Sequence, residues 1–411
     1  MNIYSIMSII ISVAALLGYI NARFIRMPTT IAIMMGSLII SLALVIIGQF
    51  GFAGLEAKIA RVLISVDFNK LLMQGMLSFL LFAGALTINL NDLYSARWEI
   101  GILATLGTIT STILIGMGSF YLLAAMGYAV PFFHCMLFGA LISPTDPIAV
   151  LAIFKEVGAP RKLQVIVSGE SLFNDGVAIV VFLSLLQVVT SQEPVTWQGV
   201  SLLFLREAIG GIIYGVLLGM LGYRLLSKID NYKVEVLITL AMATGGYVLA
   251  NALGLSGPLA MVCAGIFIGN KGRVFSMTNK SRRNIDNFWE LIEEILNAIL
   301  FLIIGLELLA IQHHWAQVIV GLATIPLVLL VRYLTVSTPM LYWQRFKKYP
   351  PNAINILAWG GLRGGLAVAL ALALPLSKHR DILLTMTYSV VVFSILVQGL
   401  TIKPLVKASV T

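Results

Sequence analysis

The amino-acid sequence predicts an all-α polytopic membrane protein. Thirteen transmembrane helices form two inverted six-helix repeats, and the fifth and twelfth helices are broken and cross. Three observations lead there. Of 411 residues, 59% are hydrophobic and 11% charged, with a mean hydropathy of +0.97, whereas soluble domains carry about 25% charge. Apolar runs near the roughly 20 residues that cross a bilayer recur along the whole chain. Nineteen loop lysines and arginines follow odd-numbered runs and five follow even-numbered ones. Basic loops stay cytoplasmic, so the N-terminus is expected outside and the C-terminus inside. A wrong span count would scramble that alternation. The net charge of +9 therefore reads as topology and not as a nucleic-acid interface.

The expected spans are 3–22, 28–49, 70–90, 98–125, 131–154, 163–189, 200–226, 234–252, 256–270, 289–311, 315–343, 352–374 and 382–405. The first has no basic residues before it, which predicts a retained helix and not a signal peptide. Segment 51–69 carries Glu56, Lys58, Arg61 and Asp67 among apolar residues, and reads as an interfacial helix or re-entrant loop. The basic loop 271–283 reads as a topology signal. Cys135 and Cys263 each sit in an apolar segment without metal-ligand spacing, as small filler. Arg206 lies near a span end beside Glu207 and can snorkel to the interface. Arg332 and Arg363 lie well inside their spans and need partners.

Span five contains Ser143-Pro144-Thr145-Asp146-Pro147. Two prolines three residues apart remove backbone donors and clash one turn back, so no regular helix can hold them. Span twelve contains Gly360-Gly361-Leu362-Arg363-Gly364-Gly365, and glycine is the other good way to unwind a helix. With span seven as a connector, each is the fifth span of its six-helix set, and the sets have opposite orientation. Interrupted helices at matching places of inverted repeats point to a transport site near the midplane. Asp146 is expected to neutralise positive helix N-termini at the breaks, and Arg363 negative C-termini.

Span six carries Glu170, Ser171, Asn174 and Asp175 in an otherwise apolar run. Glu170 and Asn174 share one helix face, Ser171 and Asp175 an adjacent one. Intramembrane carboxylates are expensive and mark ion or proton handling. Asp175, Asp146, Thr145, Ser171 and freed carbonyls around Pro144 are the oxygen ligands expected for a hard monovalent cation. Asp175 can hold either a proton or a cation, but not both, which is the chemistry of exchange. Glu170 needs a cation of its own. Arg332 is the first candidate and Arg363 the alternative, and the residues alone leave that choice open.

The motifs Ser143-Pro144-Thr145-Asp146-Pro147-Ile148-Ala149-Val150 and Gly169-Glu170-Ser171-Leu172-Phe173-Asn174-Asp175-Gly176-Val177 resemble the first family of monovalent cation/proton antiporters. That family includes bacterial NhaP-type proteins and animal sodium/proton exchangers. Arg332 and Gly361-Leu362-Arg363-Gly364 match it too. The resemblance implies a homodimer in the bacterial inner membrane, in contact with lipid. Helices 1–3 (residues 1–90) and 8–10 (234–311) would form a dimer domain. Helices 4–6 (98–189) and 11–13 (315–405) would form a core that moves like an elevator, and helix 7 (200–226) would connect them. It implies Asp175 as the cation and proton site, assisted by Thr145, Asp146 and Ser171, with a Glu170–Arg332 pair. Asn174 would replace a second acid, so one-for-one electroneutral exchange is expected. The substrates would be Na+, Li+ or K+ and H+, with no cofactor and no enzymatic activity.

The sequence departs from the animal proteins in ending soon after Pro404, which predicts no regulatory tail. Phe82-Ala83-Gly84-Ala85-Leu86-Thr87 in span three lacks their prolines and acid. Glu307 is expected either to line the pathway and support the dimer domain or to snorkel at the outer end. His134, His313, His314 and His379 fall near span ends and read as interfacial. An intramembrane aspartyl hydrolase built on Asp146 and Asp175 would not call for an arginine on a broken helix in the opposite half. A passive cation channel of the same architecture would not couple its flux to protons.

Overall fold

The computed structural model describes residues 3–47, 70–190, 197–272, 279–307, 315–375, 377 and 379–408. The expected interfacial segment 51–69, and with it Lys58 and Arg61, lies outside the described residues, as do His313, His314 and Lys378. The described residues are helical, with no strand and one isolated bridge. In chain order the helices are α1 (Tyr4–Ile25), α2 (Thr29–Ile47), α3 (Leu71–Thr87), α4 (Arg97–Ala125), α5 (Phe132–Ile142), α6 (Ile148–Val157), α7 (Arg161–Thr190) and α8 (Trp197–Leu226). They continue as α9 (Tyr232–Ala252), α10 (Gly257–Phe267), α11 (Asn279–Leu306), α12 (Trp315–Gln344), α13 (Ala353–Trp359), α14 (Gly365–Leu372) and α15 (Arg380–Lys407). Eight helices among the described residues are long and apolar enough to cross a membrane.

Large apolar side chains point outward as well as inward. Leu16, Ile39, Leu106, Leu217, Leu322 and Leu330 are all more than half exposed. In water such a surface would be an interaction patch; in a bilayer it is the face that meets hydrocarbon. Between the helices, Phe82, Phe138, Phe154, Phe182, Phe301 and Trp289 are fully enclosed. α4 packs on α5 and α12, and α12 packs on α13 and α15. α11 packs on α2 and α3, and α10 packs on α3 and α8.

One boundary differs from the sequence reading. The tenth helix begins at Asn279, ten residues before the expected span, so Lys280, Arg282 and Arg283 lie on helix α11 and not in a loop. Hydropathy reads only the apolar layer. The helix runs on beyond it because Ile285 and Trp289, one turn apart, are both buried against the protein.

The fifth and twelfth expected spans are each split. Five residues separate α5 from α6, and five separate α13 from α14. α15 contains one wide π-turn, Ser394–Gln398, within its length. Such turns add a residue to the helix and recur at functional sites.

Candidate functional site

The two breaks meet. The Asp146 amide donates to the Leu362 carbonyl at 2.8 Å, and the two residues form an isolated antiparallel bridge. Each unwound strand of backbone so satisfies part of the other, as buried backbone must. Arg363 is 2% exposed, and its Nη1 donates to the carbonyls of Ser143 and Pro144, the latter at 2.9 Å. Those carbonyls close the C-terminal end of α5, where helix carbonyls lack partners and a cation is favoured. Asp146 Oδ1 accepts from the Ile148 amide at 3.0 Å, at the N-terminus of α6. The same carboxylate lies against Gly364, the residue that opens α14; a Cβ on Gly364 would collide with it. α15 closes the second break through its π-turn. The Arg363 amide donates to Ser394 Oγ at 2.9 Å, and Gln398 Nε2 donates to the Trp359 carbonyl at 2.9 Å.

α7 passes the crossing on one side. Ser171 Oγ donates to the Thr145 carbonyl. Asn174 Nδ2 donates to Thr145 Oγ1 at 2.9 Å, and the Thr145 amide donates to Asn174 Oδ1 at 3.4 Å. Glu170, 1% exposed, is held bidentately by Arg332, with Nη1 on Oε1 and Nη2 on Oε2 at 3.0 Å. Arg332 Nη2 also donates to the Leu357 carbonyl at 3.0 Å, near the end of α13. Arg363 is engaged elsewhere, so it is Arg332 that neutralises Glu170. Gly361 leaves the space for that guanidinium, since a Cβ there would run into Arg332 Nε. Asp175 is partly exposed, interacts electrostatically with Asp146, and makes no hydrogen bond or ion pair to a described residue.

The carbonyls around Pro144 already carry protein donors: those of Ser143 and Pro144 accept from Arg363, and that of Thr145 accepts from Ser171. A charged donor reaching across the crossing satisfies the very groups the prolines had released. The acceptors at the crossing are the carboxylates of Asp175 and Asp146, the hydroxyls of Thr145 and Ser171, and these carbonyls, hydroxyl and carbonyl oxygens alike retaining a lone pair after one protein bond. All-oxygen sets of this kind suit hard cations.

Residues 11–408 match the profile of the transmembrane sodium/hydrogen exchanger family. The Na(+)/H(+) antiporter NhaP of Pseudomonas aeruginosa is 48% identical over 401 residues, covering 97% of this chain and 95% of that protein. The Na(+)/H(+) antiporter NhaH of Halobacillus dabanensis is 35% identical over 413 residues, covering 99% and 96%. The chain belongs to the sodium/hydrogen exchanger family. It is a transporter and not an enzyme. Among solved structures, the sodium proton antiporter MjNhaP1 from Methanocaldococcus jannaschii at pH 8 superimposes with a TM-score of 0.75 at 19% identity, over 99% of this chain and 98% of that one, and so shares the exchanger fold.

Two features of this exchanger-family chain escaped the sequence, and two residue readings can be refined. Glu99, fully buried at the start of α4, accepts from Lys347 Nζ at 2.7 Å and from Tyr349 Oη at 2.5 Å, while Lys162 sits 3.6 Å over the Tyr349 ring. Tyr349 lies in the linker between α12 and α13; its own burial, then the Glu99 carboxylate, push its phenol well above the usual range. Glu99 stands at the edge of the expected span 98–125, two residues from Arg97, where sequence alone gives it no partner. Glu293 and Asn297 on α11 fall inside the expected tenth span, where no motif or spacing marks them. Glu307 is buried and interacts electrostatically with Arg380, so it does not snorkel. His134 and His379 pack ring to ring at 5.4 Å.

Proposed function

We propose that this chain exchanges sodium for protons across the membrane by alternating access to Asp175. The single observation that carries the reading is that Asp175 is uncommitted. Around it, Glu170, Ser171, Asn174, Thr145, Asp146 and Arg363 all hold protein partners. One carboxylate at the crossing of two broken helices can take a proton or a cation, and competition between them couples the two fluxes. Asp146, Thr145 and Ser171 supply further oxygens, so that these four form the transient cation site. Asn174 stands where a second acid would add charge, and its amide is already spent on Thr145. One proton therefore exchanges for one cation, and no potential is generated. The relatives of known name are sodium/proton antiporters, which favours sodium; lithium and potassium share its oxygen chemistry.

In this reading thirteen spans make two inverted six-helix repeats, and the protein is a homodimer in the bacterial inner membrane with its N-terminus outside and its C-terminus in the cytoplasm. Spans 1–3 and 8–10 hold the dimer together. Spans 4–6 and 11–13, with the crossing at their centre, move past them as an elevator, and span 7 connects the two. The empty carboxylate is too costly to carry through the bilayer, and the occupied one can cross.

Purified protein in vesicles with an imposed pH gradient tests this. A sodium pulse dissipates the gradient, Asp175→Asn abolishes that response, and a voltage-sensitive dye stays silent during turnover. Sodium-driven proton flux in Asp175→Asn would sink the site assignment, and a dye signal would sink the one-for-one stoichiometry.

A further inference from the structure

α11 carries polar groups that the exchange site does not use, and they lie along one stripe. Leu300 packs against Gly365, the first residue of α14; a Cβ there would meet Leu300 at 2.5 Å. The stripe is thus anchored at the level of the crossing, one residue from the glycine that faces Asp146. One turn back towards the start of α11 is Asn297, which is 4% exposed and whose Oδ1 has no hydrogen-bond partner. A buried amide oxygen left without a donor is expensive in an apolar surrounding. One further turn back is Glu293, partly exposed, which interacts electrostatically with Lys155, Glu290, Glu294 and Asp146. Spacings of three and four residues put all three side chains on one helix face. At about 1.5 Å rise per residue, Glu293 stands about 10 Å below the level of Leu300.

Lys155, in the last turn of α6, is the cation at this place. It is exposed and makes no ion pair within 4.0 Å among the described residues. A carboxylate at the mouth, a bare amide oxygen one turn deeper, and the carboxylates of Asp146 and Asp175 beyond make a descending series of oxygen acceptors. Only the outermost has a competing positive charge beside it.

We propose that Glu293 and Asn297 form a second, shallower cation-binding station on α11, at which a sodium ion pauses on its way from the cytoplasm to Asp175, and that Lys155 competes with the ion for Glu293. This rests on the exchange function proposed above and on the cytoplasmic placing of the start of α11. Glu293 supplies charge and Asn297 supplies the oxygen that strips part of the hydration shell. Both lie apart from the exchange carboxylate, so they set how much sodium is needed and not how fast the saturated protein turns over.

Inside-out vesicles, whose outer solution bathes the cytoplasmic face, read this directly as the sodium concentration giving half-maximal exchange. Glu293→Gln raises that KM about threefold to tenfold, the scale on which one charge changes local ion concentration at a cleft mouth, and leaves the maximal rate within about twofold. Asn297→Leu raises KM in the same way. Glu293→Asp restores it most of the way. Lys155→Gln shifts KM downward, because the competitor is gone; this surface variant carries the test alone where a variant on α11 fails to fold. Wild-type KM in both Glu293→Gln and Asn297→Leu, a loss confined to the maximal rate, or a KM in Lys155→Gln that stays or rises would overturn the station. Exchange surviving in Asp175→Asn is a different failure, that of the exchange site. An inactive Asp175→Asn beside an unaltered Glu293→Gln removes the station alone.

Discussion

The two breaks do the same job with opposite materials. Between α5 and α6, prolines interrupt the helix by removing donors, and the carbonyls they release must be satisfied from outside. Between α13 and α14, glycines interrupt it by removing side chains, and the space they leave is filled from outside. Arg363 on the glycine side serves the carbonyls of Ser143 and Pro144 on the proline side. Asp146 on the proline side fills the space over Gly364 on the glycine side. The proline break is thus short of partners and the glycine break short of bulk, and each supplies the other's want. The proline side should then be sensitive to loss of a donor and forgiving at the prolines themselves, whereas the glycine side should be sensitive to any added atom.

Arg363→Gln is the severest way to break this relation. It removes two charge-assisted hydrogen bonds from the end of α5, a loss of about 3–5 kcal/mol by the usual strength of such bonds, and sodium-driven proton flux is expected to vanish. Thermal unfolding of the detergent-solubilised protein reads the first effect, and a pH-gradient assay in vesicles the second. Gly364→Ala comes next. Its backbone is extended and unstrained, with φ of −118°, so the whole effect is steric: one methyl pushed into the Asp146 carboxylate, about 1–3 kcal/mol of overpacking, with flux reduced at least tenfold. A Gly364→Ala protein with normal flux would remove the idea that this glycine is there for space. Ser394→Ala deletes one acceptor for the Arg363 amide and is expected to lower stability by about 1 kcal/mol, with flux retained. Smallest is Pro147→Ala. It restores a backbone donor and loosens only the unfolded chain, so a change of about 0.4–1 kcal/mol is expected, with near-normal flux. Pro147→Ala as damaging as Gly364→Ala would abolish the contrast between the two sides.

Much of this site can be read along the chain. Pro144 with Pro147, and four glycines around Arg363, announce the breaks because helix geometry forbids them a regular place. Glu170 and Asp175 stand out because apolar neighbours cannot solvate them. What the chain order hides is pairing across distance. Glu170 and Arg332 are 162 positions apart, and although Arg332 was the first candidate, the choice against Arg363 stayed open until their other partners were visible. Likewise, nothing local shows that Arg363 has reached the carbonyls of Ser143 and Pro144. Glu99, Glu293 and Asn297 were obscured differently. Each lies where an apolar run gives way to polar residues, and hydropathy cannot separate a side chain facing water from one turned inward against another helix.

The π-turn at Ser394–Gln398 has a consequence for deletions. A π-turn spends one more residue on the same revolution, so removing one residue between Ser394 and Gln398 would restore a regular helix with the stretches on either side nearly in phase. What would be lost is the local widening in which Ser394 accepts from the Arg363 amide while Gln398 donates to the Trp359 carbonyl. A single-codon deletion there is therefore expected to leave the rest of α15 packed as it is and to disturb only the contacts that close the second break.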